Sequence, residues 1–303
     1  MLRRLVIAPA LLVAGAAVLV QGCSVFVIDT EQQQCVAASD CVSLGLGDAC
    51  VDGVCVDGGG EGGEGGGGGA PADPKWGCLG SVEWPPATQP TSVLRVRFRS
   101  AVSMTPPANL AVRYCASLDV DCATPIAADV PVVDGRIELE VESGTRGYFE
   151  VTSTADPPTI RPAVLYFPRP ASESSTPEDL PVTLVSPNEY LAIVNSAGFV
   201  DDPTRGTLLT VTTDCTAAPA AGVELSSPSQ DEDSTPFYFV GLVPDPDATQ
   251  TDVNGFGGIF NMPVGAGTVE ARIAADDRLI GFASFQIRAG WLSNVAIEPT
   301  PIE

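Results

Sequence analysis

Histidine is absent from the 303 residues, and Lys75 is the only lysine. Without imidazole there is no Ser-His-Asp or Cys-His arrangement, no histidine general base and no histidine-ligated zinc. Carboxylate chemistry is what remains for catalysis, and 38 acids scattered along the chain single out no pair for glycoside cleavage. The chain therefore reads as a non-enzyme, with no cofactor and no metal centre expected. Positive charge is also scarce, at 15 basic residues and a net charge of −23. Such a surface repels phosphate backbones, so nucleic acid is not an expected partner. Helical periodicity is missing almost throughout, and long apolar runs are limited to residues 5–20. That run is shorter than the roughly 20 residues a membrane-spanning helix needs, and it contains Pro9 and Gly15.

Arg3 and Arg4 precede the apolar run, and Val20-Gln21-Gly22-Cys23 follows it. This order of a positive start, a greasy middle and a small-residue site resembles the lipobox of bacterial lipoprotein precursors; an ordinary cleaved signal is the alternative. The resemblance implies removal of residues 1–22 and a diacylglycerol, with a palmitate-type acyl chain, on Cys23. It also implies a membrane anchor in the cell envelope. Ser24 in place of aspartate favours the outer membrane. Loss of the two arginines leaves 13 basic against 38 acidic residues, a net −25.

Setting Cys23 aside leaves eight of the nine cysteines, an even number suited to disulfides in an oxidising compartment. Residues 23–34 read as a tether. Cys35-x5-Cys41-x8-Cys50-x4-Cys55 spans 21 residues, too few to own a core, so cross-links must hold it. The expected pairs are Cys35–Cys50 and Cys41–Cys55; four cysteines permit three pairings, and a structural zinc is the rival. Residues 56–75 form a linker in which 58–69 contain ten glycines and two glutamates. A glycine coil of ~18 residues spans roughly 23 Å. No strand precedes it and no Gly-Lys-Ser/Thr follows, so it is not a phosphate loop.

From Trp76 onward the pattern is strands and turns. Leu94, Val96 and Phe98 alternate with Arg95, Arg97 and Arg99, and Ile137, Leu139 and Val141 alternate with Glu138, Glu140 and Glu142. These stripes predict two strands of one sheet, with arginine and glutamate rows side by side on the wet face. An anion site on the arginine row is the functional alternative. Asp134-Gly135 and Asn254-Gly255 each open a strand, a glycine turn at Gly144 or Gly265, and a second strand, which reads as one antiparallel module in two copies. Between them, Ser186-Pro187-Asn188-Glu189 is a capping box with proline in the first turn, and Gly198 is a stop. A helix over residues 187–196 follows, with Tyr190, Leu191 and Val194 expected on its buried face.

Thr251-Asp252-Val253-Asn254-Gly255-Phe256, with Asn261-Met262-Pro263-Val264-Gly265 after it, resembles the signature of carboxypeptidase-regulatory-like domains. Asp214-Cys215 and residues 219–223 match the early strands of that family. The resemblance covers about residues 205–300, and 90–185 more weakly. It implies an all-β fold of two tandem antiparallel prealbumin-like β-sandwiches, residues 76–188 and 189–303, after the signal, the cysteine-rich module and the linker. In that picture Cys115 and Cys122 close a local loop, and Cys78 joins Cys215 across the two sandwiches.

Two candidate ligand features remain. Trp84 and Trp291, with Trp76 and residues 237–239, offer an aromatic platform for sugar rings if exposed; core burial is the alternative. The acids of residues 228–251, Asp231, Glu232, Asp233, Asp245 and Asp247, offer calcium ligands but lack EF-hand spacing. The resulting expectation is a non-catalytic, envelope-anchored lipoprotein for adhesion, ligand binding or assembly, with envelope proteins or polysaccharide as partners. A periplasmic scaffold of an export or cell-wall complex, or a carboxylate-dependent glycan hydrolase, are the alternatives.

Overall fold

The computed structural model describes residues 49–51, 54–56, 74–84, 86–101, 103–172, 180–241 and 243–301. The lipobox with Cys23, the glycine-rich stretch, Cys35 and Cys41 lie outside them, as do the side chains of Cys50 and Cys55. Strands β1 (Ala49–Val51) and β2 (Val54–Val56) form a two-stranded ribbon in which Cys50 stands opposite Cys55.

Six strands follow: β3 (Thr91–Ser100), β4 (Leu110–Ala116), β5 (Arg136–Glu142), β6 (Gly147–Ser153), β7 (Ala163–Tyr166) and β8 (Leu180–Leu184). Helix α1 (Pro187–Ser196) leads into the remaining strands. These are β9 (Gly206–Thr212), β10 (Val223–Ser226), β11 (Thr235–Val240), β12 (Val243–Asp245), β13 (Phe256–Met262), β14 (Gly265–Ile273), β15 (Leu279–Ile287) and β16 (Leu292–Ile297). The described chain is thus all-β with one short helix. Among the described residues no helix is long and apolar enough to cross a membrane.

An eight-stranded sheet, ordered β12-β11-β13-β9-β16-β7-β6-β4, runs through the whole body. Strand β16 is its hinge point: it lies parallel to β9 on one side and to β7 on the other, with Leu292 opposite both Thr207 and Ala163. The expected division at 188/189 falls inside α1, and this parallel pairing crosses it. Sheet β5-β3-β8 covers one face at the β4-β6-β7 half, where Val96, Phe98, Phe149 and Val151 are buried. On that same face α1 covers the other half through Tyr190, Ile193 and Val194 against Phe260. Sheet β10-β14-β15 covers the opposite face of the β9–β13 half, laying Val269 over Leu208, Ile259 and Met262. Two sandwiches therefore share one sheet and wear their covers on opposite faces.

Local details follow the sequence closely in places. Strands β3 and β5 pair antiparallel, and Arg95 meets Glu138 at 3.2 Å on the outer face. The same register sets Arg97 opposite Arg136, so the two charge rows complement each other over only part of their length. Helix α1 begins at its capping box, with the Glu189 amide donating to Ser186 Oγ, and ends before Gly198 at φ +72°. Leu191 is a correction: it is exposed, and Ile193 takes its place on the buried face. Three and four residues bring a helix back to one side, whereas a step of one turns about 100° away. Asp134 and Gly135 both have positive φ in a two-residue turn joining Val133 to Arg136. The strands after the two glycine turns do not return as hairpins, however. Strands β5 and β6 lie in different sheets, as do β13 and β14, so each repeat is a corner between layers.

Candidate functional site

Among the described residues no sheet covers the other face of the β4-β6-β7 half, and charged, aromatic and sulfur side chains gather there. Alternation along the strands aims Arg113 and Cys115 of β4, Tyr148 and Glu150 of β6, and Val164 and Tyr166 of β7 toward that face. Glu150 is 2% exposed. Arg113 donates to its Oε2 through Nε at 2.8 Å and through Nη2, and Arg288, from the turn after β15, reaches Oε1. Arg288 also donates to the Val120 carbonyl at 2.7 Å, and it lies over the Tyr148 and Trp291 rings.

The roof over this cluster is the loop after β4. A Cys115–Cys122 disulfide closes it, with Cα atoms 5.4 Å apart. Asp119 accepts from the Ala123 and Thr124 amides at 2.9 and 2.8 Å, which holds its carboxyl below the usual range, and its own carbonyl accepts from the Tyr148 hydroxyl. Burial raises the Tyr148 and Tyr166 phenols, so both stay neutral; Tyr148 donates, whereas the Tyr166 hydroxyl accepts from the Gln286 amide at 2.9 Å. One oxygen of Glu150 and the two sulfurs lie within 4.8 Å of one another. The sulfurs are bonded together and the carboxylate faces two guanidiniums, so the donor set does not suit a cation. Chemically the cluster is a clamp: Arg288 belongs to the second half of the chain, Arg113, Glu150 and the loop to the first.

The second disulfide, Cys78–Cys215, bridges 137 residues with Cα atoms 5.7 Å apart. It docks the segment that emerges from the linker onto the turn after β9. Trp76 is buried there in the second core, Lys75 donates from Nζ to the Ala221 carbonyl at 2.9 Å, and the Cys215 amide donates to the Lys75 carbonyl.

The remaining expected residues are distributed differently. Trp84 is half-buried with the Arg146 guanidinium 5.5 Å from its ring, and its indole nitrogen is buried without a partner among the described residues. Trp291 is half-buried against the Glu150 clamp. Phe237 and Phe239 point into the first core while Tyr238 and Trp76 enter the second, so these four rings are core rather than surface. In the acidic stretch Asp231 takes Arg205 through two bonds of 2.9 Å, and Asp233 takes it through a third. That pairing holds the Asp231 carboxyl well below its ordinary range. An open cleft of about 560 Å³ beside residues 106–110 is lined by one carboxylate, that of Asp134. The clamp itself was not foreseen; the signal available was Glu150, a lone acid inside the apolar run Tyr148-Phe149-Glu150-Val151.

No family model matches the chain, and no curated protein does. Among solved structures it is similar to the Bacillus anthracis TIE protein, at 13% identity and a TM-score of 0.23, over 69% of this chain and 34% of that one. The chain thus spans about a third of that protein's length. It is also similar to a streptococcal ancillary pilin at 13% identity and a TM-score of 0.21, over 68% of each chain. A third is the shaft pilin SpaA from Lactobacillus rhamnosus GG, at 13% identity and a TM-score of 0.21, over 70% of this chain and 99% of that one. The likeness is confined to β-rich architecture.

Proposed function

We propose that the chain is a lipoprotein of the cell envelope, acylated at Cys23, that holds a non-catalytic pair of fused β-sandwiches outside a membrane for adhesion, ligand binding or assembly. The observation that carries this reading is the Cys78–Cys215 bridge at the point where the linker meets the body. A disulfide of that span persists in an oxidising compartment, which agrees with the export signal. It also places the staple where a pull from a membrane tether would enter the fold. About residues 205–300 are the carboxypeptidase-regulatory-like half of this reading. In its signature the Thr251 hydroxyl bridges the Ala220 carbonyl and the Val223 amide, and Asp252 accepts from the Gly241 amide. These are turn braces, in keeping with an accessory module and not with a reactive centre.

Cell fractionation tests the proposal. Wild-type protein is expected in the membrane pellet, released by detergent but not by salt, and Cys23→Ala is expected in the soluble envelope fraction. Wild-type protein that is soluble without detergent contradicts the reading.

A further inference from the structure

We infer that the outer edge of β5 is a docking strip, which takes one extended segment of a partner protein whose basic and apolar residues alternate. The inference rests on the assembly role proposed above and names the partner for it, and it is independent of the acylation of Cys23.

The pairing with β3 decides which way the backbone of β5 faces. The Phe98 amide donates to the Gly135 carbonyl at 2.7 Å and the Ser143 amide to the Pro90 carbonyl at 2.9 Å, at the two ends of one antiparallel register without a shift. Bonded pairs alternate with unbonded ones in such a ladder, so Ile137, Leu139 and Val141 bond to β3. Arg136, Glu138, Glu140 and Glu142 turn their amides and carbonyls the other way. Val133 takes both groups of Arg136, at 2.8 and 2.9 Å, and the Thr145 amide donates to the Glu142 carbonyl. Between these closures the Glu138 and Glu140 amides and carbonyls, and the Glu142 amide, meet no partner among the described residues. The other edges are shut or broken. Among the described residues Ala127 and Val130 bond along β4, Thr251 bonds along β10, and β15 is held near its ends by Tyr166 and Thr300. Pro181 interrupts β8, and β12 has three residues.

The side chains of the strip select its occupant. Glu138, Glu140 and Glu142 are all exposed on the outer face, and among the described residues only Glu138 has an ion-pair partner, Arg95. Side chains of an added strand stand directly beside those of β5, so lysine or arginine opposite Glu140 and Glu142 meets a carboxylate. The residues between them turn inward over Leu139, which is only partly buried at the rim of the first core. A second copy does not fit: two β5 strands paired antiparallel about Glu140 set glutamate opposite glutamate. Nor does the chain's own tether, since no lysine or arginine stands between Cys23 and Lys75, or between Arg169 and Arg205. The occupant is therefore a different protein. In this mode of recognition main-chain bonds supply the affinity and alternate side chains the selectivity.

The test titrates the purified full-length mature protein in detergent with a synthetic peptide of about seven residues that alternates lysine and valine, and reads amide hydrogen exchange. Docking predicts one peptide per chain, with exchange at Glu138 and Glu140 slowed at least about tenfold. Glu140→Pro takes one amide from the open edge and leaves the β3 ladder whole, so the melting temperature is expected to stay level while peptide affinity falls at least about tenfold. Glu140→Gln with Glu142→Gln keeps every amide, and is expected to weaken the lysine peptide about threefold. A peptide alternating glutamate and valine is expected not to bind. Absence of lysine-peptide binding, unchanged exchange at Glu138 and Glu140 at saturation, affinity unaltered in the folded variants, or equal binding of the two peptides overturns docking. The anchor is read separately by fractionation: protein that pellets with membranes and fails these tests keeps the anchor and loses docking, and soluble protein that passes them does the reverse.

Discussion

Two ion clusters in this molecule are near mirror images, and burial separates them. At Glu150 one carboxylate, 2% exposed, is gripped by two guanidiniums from opposite halves of the chain. At Arg205 one guanidinium is gripped by Asp231 and Asp233, with Asp202 at 3.7 Å, on side chains that are largely open to water. Water screens the second cluster more fully than the first, where Glu150 is buried and Arg288 only 17% exposed while Arg113 reaches solvent, so breaking the first leaves a guanidinium largely cut off from water without its partner. The buried cluster joins the two sandwiches, whereas the exposed one pins a loop within a single sandwich.

Variants that strip one partner at a time break this comparison. Glu150→Ala is expected to cost about 3 to 5 kcal/mol, seen as a lower urea midpoint at unchanged slope. Replacing Cys115 and Cys122 together by serine removes the roof and is expected to cost about 2.5 kcal/mol in the chain-entropy model, given the separation of seven residues. Arg205→Ala is expected to have a smaller effect that fades in 1 M salt, while the Glu150→Ala loss persists there. The exposed cluster also has a pH signature. Asp231 is depressed by Arg205, so its contribution is complete above the ordinary carboxylate value of about 3.9 and is lost as pH falls below it. Acid melts of wild type and Arg205→Ala are therefore expected to begin converging below about pH 4 and to draw closer with each further step into acid. Smallest of all, Thr212→Val removes a buried hydroxyl with no partner among the described residues, and stability is expected to stay level or rise.

What the sequence disclosed was local. The capping box at Ser186 and Glu189, the turn at Asp134 and Gly135, and the alternation of Leu94, Val96 and Phe98 each act within a few residues, and each has its counterpart in the fold. The long bridge from Cys78 to Cys215 was within reach as part of what the family resemblance implied for the cysteines left over. Leu191 was misplaced through a one-residue error in helical phase. The shared sheet was not legible, because the parallel pairing of β16 with β7 joins strands some 130 residues apart and leaves no mark on local periodicity. The Arg113, Glu150 and Arg288 clamp depends on that same pairing, so it was hidden with it.

Mass spectrometry of protein purified from the envelope without reductant decides whether a cross-linked body hangs from an acylated Cys23, as proposed above. The account predicts an N-terminal peptide beginning at Cys23 with thioether-linked diacylglycerol, together with linked peptides for Cys78–Cys215 and Cys115–Cys122. An unmodified Cys23, or free thiols at those four positions, contradicts it.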